Sequence, residues 1–115
     1  MKIVIAGKNK CAIEAHKYLR NKYPKHEIIG VGNKDDHYKE DDWQPSYRKY
    51  LLDHKFWEYR LEDCYDLEDM LFFSIEFDKI IKTENFKSKK LFNLHFSLLP
   101  KYRGCHTNFF QLYNG

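Results

Sequence analysis

An amide and an imidazole lie two residues apart in the largely apolar segment LFNLH (residues 91–95). The segment predicts a strand. Because positions two apart on a strand face the same side, Asn93 and His95 should project together near its carboxyl end. Such an amide can donate a hydrogen bond to an oxygen that becomes negative, and such an imidazole can move a proton. A polar pair that is satisfied within the fold explains the spacing equally well, since unpartnered polar groups in an apolar sheet cost stability.

Three other polar segments carry weaker signals. The run DDHYKEDD (35–42) places a histidine among acids, but its spacing fits no metal-binding loop, so a solvated loop is expected and no metal site is predicted. Cys105 and His106 are adjacent, and adjacent side chains rarely aim at one another, which disfavours a thiol nucleophile. The turn AGKNK (6–10) has one glycine instead of the three of G-x-G-x-x-G, so a nicotinamide cofactor is not expected.

The elements around these residues alternate between strand and helix patterns. An apolar β-branched run at 3–6, a helical stretch that Pro24 ends and a second apolar run at 26–31 predict a βαβ unit. Further strands are expected at 56–60 (edge-type), 67–75 and 91–95, and further helices after Ser46 and at 107–113. This alternation predicts an α/β layered fold with a mainly parallel sheet, in which ligands bind beyond the carboxyl ends of the strands.

The composition is that of one globular domain. The chain has 115 residues, of which 43% are hydrophobic and 32% charged, which argues against a disordered tail. The net charge of +3, with basic and acidic residues interspersed, does not predict a nucleic-acid-binding surface. The opening MKIVIAG is too short an apolar run for a signal peptide, and no stretch approaches the roughly 18 apolar residues of a membrane span. We therefore expect a cytoplasmic protein with neither nucleic acid nor a membrane as partner.

A longer match surrounds the Asn-x-His pair. The segment FNLHFSLLPKYRG (92–104) closely resembles the signature of the folate-dependent formyltransferases, in which Asn-x-His is followed by Ser-Leu-Leu-Pro and a later glycine. MKIVIAG (1–7) and FFSIEFDKII (72–81) are similar to that family's first strand and to its fourth strand with the adjoining loop. Phe96 and the following GCHTNFFQLYNG (104–115) are most similar to the enzymes that formylate nucleotide-linked amino sugars for surface polysaccharides.

This resemblance implies a Rossmann-like three-layer fold, N10-formyltetrahydrofolate as formyl donor and a nucleotide-linked amino sugar, carried on dTDP or a similar nucleotide, as acceptor. It implies that Asn93 and His95 are two members of a catalytic Asn-His-Asp trio, and that the complete protein forms a homodimer. Backbone contacts to the folate pterin are expected from Phe73, Ser74, Ile75, Glu76 and Phe77. Contacts to the sugar are expected from Trp43, with Gln44 beside it, and from Lys101, Tyr102 and Arg103.

One part of the family pattern has no counterpart in residues 1–115. The family's catalytic Asp lies some tens of residues beyond the Asn-x-His, and no acidic residue of this chain matches it. We therefore expect 1–115 to be the N-terminal part of the catalytic domain, with the C-terminal strands missing, strand 91–95 left as an exposed edge, and little activity when assayed alone. A non-catalytic folate- or nucleotide-binding half-domain remains an alternative, as does a glycinamide ribonucleotide or methionyl-tRNA formyltransferase. The balanced charge gives the tRNA enzyme little support.

Overall fold

The computed structural model describes residues 1–37, 45–75, 77–98 and 105–111, and for 94–98 and 105–111 the description covers the backbone. The elements follow one another as β1 (Lys2–Gly7), α1 (Asn9–Lys22), β2 (Glu27–Gly32), α2 (Tyr47–Asp53), β3 (Met70–Ile75), β4 (Leu91–Leu98) and β5 (Cys105–Gln111). Short 3-10 helices occur at Leu61–Cys64 and Thr83–Asn85.

The strands form one sheet in the order β2-β1-β3-β4-β5. The strands β2, β1, β3 and β4 are parallel to one another, and β5 runs antiparallel to β4. The predicted α/β fold with a mainly parallel sheet is thus confirmed. The chain steps from β1 to β2 on one side and returns to β3 on the other side of β1, so the strand order reverses at β1.

Both faces of the sheet are covered, which explains why the central strands are continuous apolar runs. On the helix-side face, Ile3 and Ile5 of β1 pack beneath α1 and α2. On the loop-side face, Val4 and Ala6 of the same strand pack beneath the 3-10 segments and the loops next to them. The alternation of one strand's side chains between two buried clusters makes the domain three layers thick.

Each helix has a recognisable local cause. The buried face of α1 is Cys11, Ala12, Ile13 and His16, at helical spacing. At the start of α2, the Ser46 side chain accepts a hydrogen bond from the Lys49 backbone N–H at 3.0 Å, which is an N-cap.

The predicted edge strand at 56–60 is wrong. Only a one-residue bridge joins Glu58 to Gly30 of β2, supported by hydrogen bonds from Gly30 N to Trp57 O at 2.9 Å and from Tyr59 N to Gly30 O at 2.8 Å. The segment therefore lies beside the sheet without extending it. The aromatic residues there favour strand geometry, but the pairing stops after a single residue.

The predicted helix at 107–113 is also wrong in its described part, because residues 107–111 belong to β5. β5 pairs with β4 from Phe92↔Gln111 to Leu98↔Cys105, so strand 91–95 is not the exposed edge that was expected. The open backbone edge of β4 provides a reason: pairing satisfies its N–H and C=O groups, and this tertiary gain outweighs the weak helical pattern.

Candidate active site

The four parallel strands end at the same edge of the sheet. Gly32, Gly7 and Ile75 are in register as the last row across β2, β1 and β3. Because ligands of such sheets bind beyond the carboxyl ends where the strand order reverses, the crevice at the end of β1 is the expected binding region.

Gly7 allows β1 and β3 to meet closely at this edge. A Cβ atom at position 7 would lie 2.1 Å from the Ile75 backbone oxygen, far inside van der Waals contact. The glycine thus serves a close backbone approach.

Asn93 lies on β4, in register with Ser74 of β3. Its side chain is half-buried, and two residues earlier Leu91 is fully buried in the loop-side cluster. Ser74 itself is 6% exposed. An amide and a hydroxyl are therefore neighbours on adjacent strands, at the margin between the apolar core and the carboxyl edge.

His95 follows two residues later and is in register with Asn108 of β5. The pairing of β3 with β4 runs only to Ile75↔Leu94, so the backbone of β4 continues past the end of β3. The predicted strand for this pair is confirmed, while the catalytic roles of Asn93 and His95 stay predictions.

The predicted folate segment ends β3 and continues into the loop after it. Phe73 stacks on Phe92 with ring centroids 5.6 Å apart, Ile75 is fully buried, and Phe77 packs against the loop-side cluster. The sheet brings Phe73, Ser74 and Ile75 beside β4. Among the remaining predicted residues, Glu76, Trp43, Gln44, Lys101, Tyr102 and Arg103 lie outside the described residues.

Asn33 lies in a segment after a predicted strand, where ligands of such folds bind, but it was not singled out as a site residue; it follows β2 and is 0% exposed. Its Oδ1 accepts a hydrogen bond from Asp78 N at 3.3 Å, and the Asp78 carboxylate accepts one from Lys34 N at 2.7 Å. In the same region Lys8 Nζ lies 3.8 Å from an Asp35 oxygen. Asp35 begins the run 35–42 that was predicted to be a solvated loop, and no local signal marks the partner that Asn33 finds 45 residues away in sequence.

The other buried titratable groups lie away from this edge. His16 of α1 is 0% exposed on the helix-side face, and its Nδ1 is 2.9 Å from the Tyr47 hydroxyl. Burial, with the positive charges of Arg20 and His54, lowers the pKa of His16 to about 4. Burial, together with the nearby carboxylates of Asp63 and Glu62, raises the pKa of the Cys64 thiol to about 12. Such a thiol is a poor nucleophile.

Two further features are absent from the described part of the chain. Nowhere in it do three or more His, Cys, Asp or Glu side chains gather as a metal ion would require. Neither of its helices combines the length and the apolar character that crossing a bilayer demands.

The solved structures that resemble this chain include two formyltransferases. WlaRD, a sugar 3N-formyl transferase determined in the presence of dTDP and 5-N-formyl-THF, is 45% identical, with 87% of this chain covered and a TM-score of 0.75. The N-formyltransferase from Helicobacter canadensis, in complex with folinic acid and dTDP-3-aminofucose, is 41% identical, with 87% covered and a TM-score of 0.76. This chain spans 36% and 37% of their respective lengths. No protein-family model matches the chain, and no curated protein does either.

Proposed function

Since the chain belongs to the folate-dependent formyltransferase family, we propose that the protein transfers a formyl group from N10-formyltetrahydrofolate to the amine of a dTDP-linked amino sugar. The observation that carries this proposal is the 45% and 41% identity to two sugar N-formyltransferases, each covering 87% of the chain. One of them was studied with dTDP and the other with dTDP-3-aminofucose, which favours a 3-amino sugar on dTDP as acceptor.

The residues at the carboxyl edge fit a reduced folate. A pteridine is flat and apolar on its faces and carries hydrogen-bonding groups on its rim. The edge offers the half-buried amide of Asn93 beside the nearly buried hydroxyl of Ser74. The backbone of residues 73–77, of which 73–75 belong to β3, would bind the pterin rim, while Trp43, Lys101, Tyr102 and Arg103 would contact the nucleotide-linked sugar.

The proposed chemistry is direct acyl transfer. The sugar amine forms a C–N bond to the formyl carbon, and the bond from that carbon to N10 of the folate breaks. N10 takes up a proton, and tetrahydrofolate leaves. Asn93 donates a hydrogen bond to the formyl oxygen as it becomes negative, and His95 carries the proton that the amine loses. The attacking amine must be neutral, so the rate should rise with pH through the amine and histidine pKa values. Both residues lie on β4 where it passes the carboxyl end of β3, the side on which ligands of parallel sheets bind, and this position supports these roles.

Residues 1–115 offer no match to the Asp of the family's catalytic trio. Chain 1–115 assayed alone should therefore bind the donor but show little turnover. We also propose that the complete protein acts in the cytoplasm as a homodimer, and that its product enters surface polysaccharides such as the O-antigen of lipopolysaccharide.

The proposal is tested by turnover in the complete protein, with N10-formyltetrahydrofolate and a dTDP-linked 3-amino sugar as substrates. Asn93→Ala should lower kcat about 10²–10³-fold through loss of the oxyanion contact. His95→Asn should lower it about 10²–10⁴-fold. Both variants should bind folinic acid nearly as well as the wild type. Asn85→Ala, at an exposed position in a 3-10 helix, is the matched control and should keep full activity.

Three results would contradict the proposal. Formylation of methionyl-tRNA or glycinamide ribonucleotide in preference to the sugar would indicate a different acceptor. Donor binding without any turnover in the complete protein would favour the non-catalytic half-domain. Wild-type rates in both variants would remove Asn93 and His95 from the mechanism.

A further inference from the structure

We propose that Asn33 and Asp78 are positioning residues for the donor site, because they fix the segment after β3 to the loop after β2. This inference rests on the proposed function, since the segment they hold continues directly from residues 73–77, the proposed contacts to the folate. Neither residue is expected to touch the reacting atoms.

The two residues bridge loops that the sheet keeps apart. β2 and β3 lie on opposite sides of β1, so their ends are separated by two strand spacings, about 10 Å. The Asn33 amide oxygen accepts from Asp78 N at 3.3 Å, and the Asp78 carboxylate accepts from Lys34 N at 2.7 Å. The two hydrogen bonds run in opposite directions between the same two loops, so together they define both the distance and the orientation of one loop against the other.

The bridge crosses the end of β1, where the strand order reverses. Gly7, the last residue of β1, is in register with both Gly32 and Ile75, the residues that end the flanking strands. The loop from β2 is also held from the β1 side, because Lys8 and Asp35 form an ion pair at 3.8 Å. Hydrogen bonds and one ion pair thereby connect the loops that follow the neighbouring strands β2, β1 and β3. These loops surround the crevice in which a ligand of this fold binds.

The segment after β3 is held from two sides. Phe77 packs into the loop-side cluster, and the next residue, Asp78, is bonded to the loop after β2. Asn33 is 0% exposed, and burying an amide is costly unless its groups are satisfied, so the Asp78 N–H is a partner that the buried side chain needs. The backbone that would contact the pterin therefore ends in a fixed position before any ligand arrives, which lowers the ordering cost of binding.

The experiment measures folinic acid affinity by calorimetry, together with amide hydrogen exchange and thermal unfolding of the free protein. Asp78→Ala removes the acceptor of the Lys34 N–H and should weaken binding about tenfold, equivalent to about 1.4 kcal/mol. It should also speed exchange in both loops. Asp78→Asn keeps an acceptor oxygen and should restore affinity. Lys79→Ala is the matched control, because Lys79 pairs with Glu62 at 3.8 Å and takes no part in the bridge.

Asp78 is exposed, so Asp78→Ala should fold; Asn33→Ala, at a buried position, serves as a second variant if its thermal unfolding stays cooperative. Unchanged affinity in Asp78→Ala would overturn the inference, as would equal losses in the Ala and Asn variants. Loss in Lys79→Ala as large as in Asp78→Ala would overturn it too. If the wild type binds no folinic acid, the proposed donor fails and the positioning role fails with it. Coupled exchange of the two loops would then show that the bridge itself is real, so the two failures are distinguishable.

Discussion

Acidification should destabilise this domain through one buried imidazole. His16 is 0% exposed, and its ring stacks on Phe56 with centroids 5.0 Å apart. Its Nδ1 lies 2.9 Å from the Tyr47 hydroxyl, while its Nε2 has no hydrogen-bond partner among the described residues. Protonation would create a charged ring with a buried N–H that lacks an acceptor, which is why the neutral form is favoured in the folded state.

The size of the effect follows from the two pKa values. Burial lowers the pKa of His16 most, the charges of Arg20 and His54 lower it further, and the result is a pKa of about 4. In an unfolded chain the pKa of a histidine is about 6.5. The folded pKa is depressed, so the stabilisation is fully present above the unfolded pKa and is lost as pH falls through the folded pKa. On going from pH 7 to pH 4 the unfolded state becomes almost fully protonated at this histidine, whereas the folded state is only about half protonated at pH 4, and the difference costs about 3 kcal/mol of stability.

The assay is urea unfolding at several pH values in this window, comparing the wild type with His16→Gln. Carboxylates titrate in both proteins, so only the difference between their pH profiles belongs to His16. The wild type should lose about 3 kcal/mol more than His16→Gln on going from pH 7 to pH 4. His26→Gln, at a half-buried position next to Tyr23, is the control for replacing a histidine outside the cluster around His16. Parallel profiles for wild type and His16→Gln would refute the reasoning.

Two further substitutions test the elements that shape the carboxyl edge. Gly7→Ala should destabilise the protein by more than about 2 kcal/mol, because a new Cβ would lie 2.1 Å from the backbone oxygen of Ile75; a change under about 0.5 kcal/mol in urea unfolding would contradict the close approach of β1 and β3. Ser46→Ala should cost about 1 kcal/mol by removing the cap on Lys49 N at 3.0 Å, and unchanged thermal unfolding would show that the cap is replaced by another group.

The central strands could be predicted because their signals are local. β1, β2 and β3 are short apolar runs with polar or glycine ends, and such runs form buried parallel strands largely irrespective of what surrounds them. The mainly parallel sheet and the carboxyl edge as binding region followed from these strands. The position of Asn93 on a strand, half-buried near that edge, was accessible by the same reasoning.

The errors occur where pairing across the sheet decides the structure. A helix was predicted at 107–113, but residues 107–111 belong to a strand that pairs with β4 over residues 105–111. The stretch 56–60 has aromatic residues that favour strands, yet only one residue bridges to Gly30. In both cases the outcome depends on which backbone groups a distant segment leaves open, and a local pattern contains no such information.

The aromatic residues that stabilise this domain around His16 and the residues of the proposed active site lie on opposite faces of the sheet. The aromatic cluster around His16 and Tyr47 lies on the helix-side face, whereas Ser74 and Asn93 are on the loop-side face at the end of the strands. The sheet itself lies between these two groups. His16→Gln should therefore change the pH dependence of unfolding without changing donor affinity at neutral pH. Asp78→Ala should instead weaken donor affinity at neutral pH while keeping the contribution of His16 to the pH dependence of unfolding. A substitution that changes both the donor affinity and the pH dependence of unfolding would show that the two faces are coupled through the sheet. The effects of the active-site variants would then have to be corrected for their changes in stability.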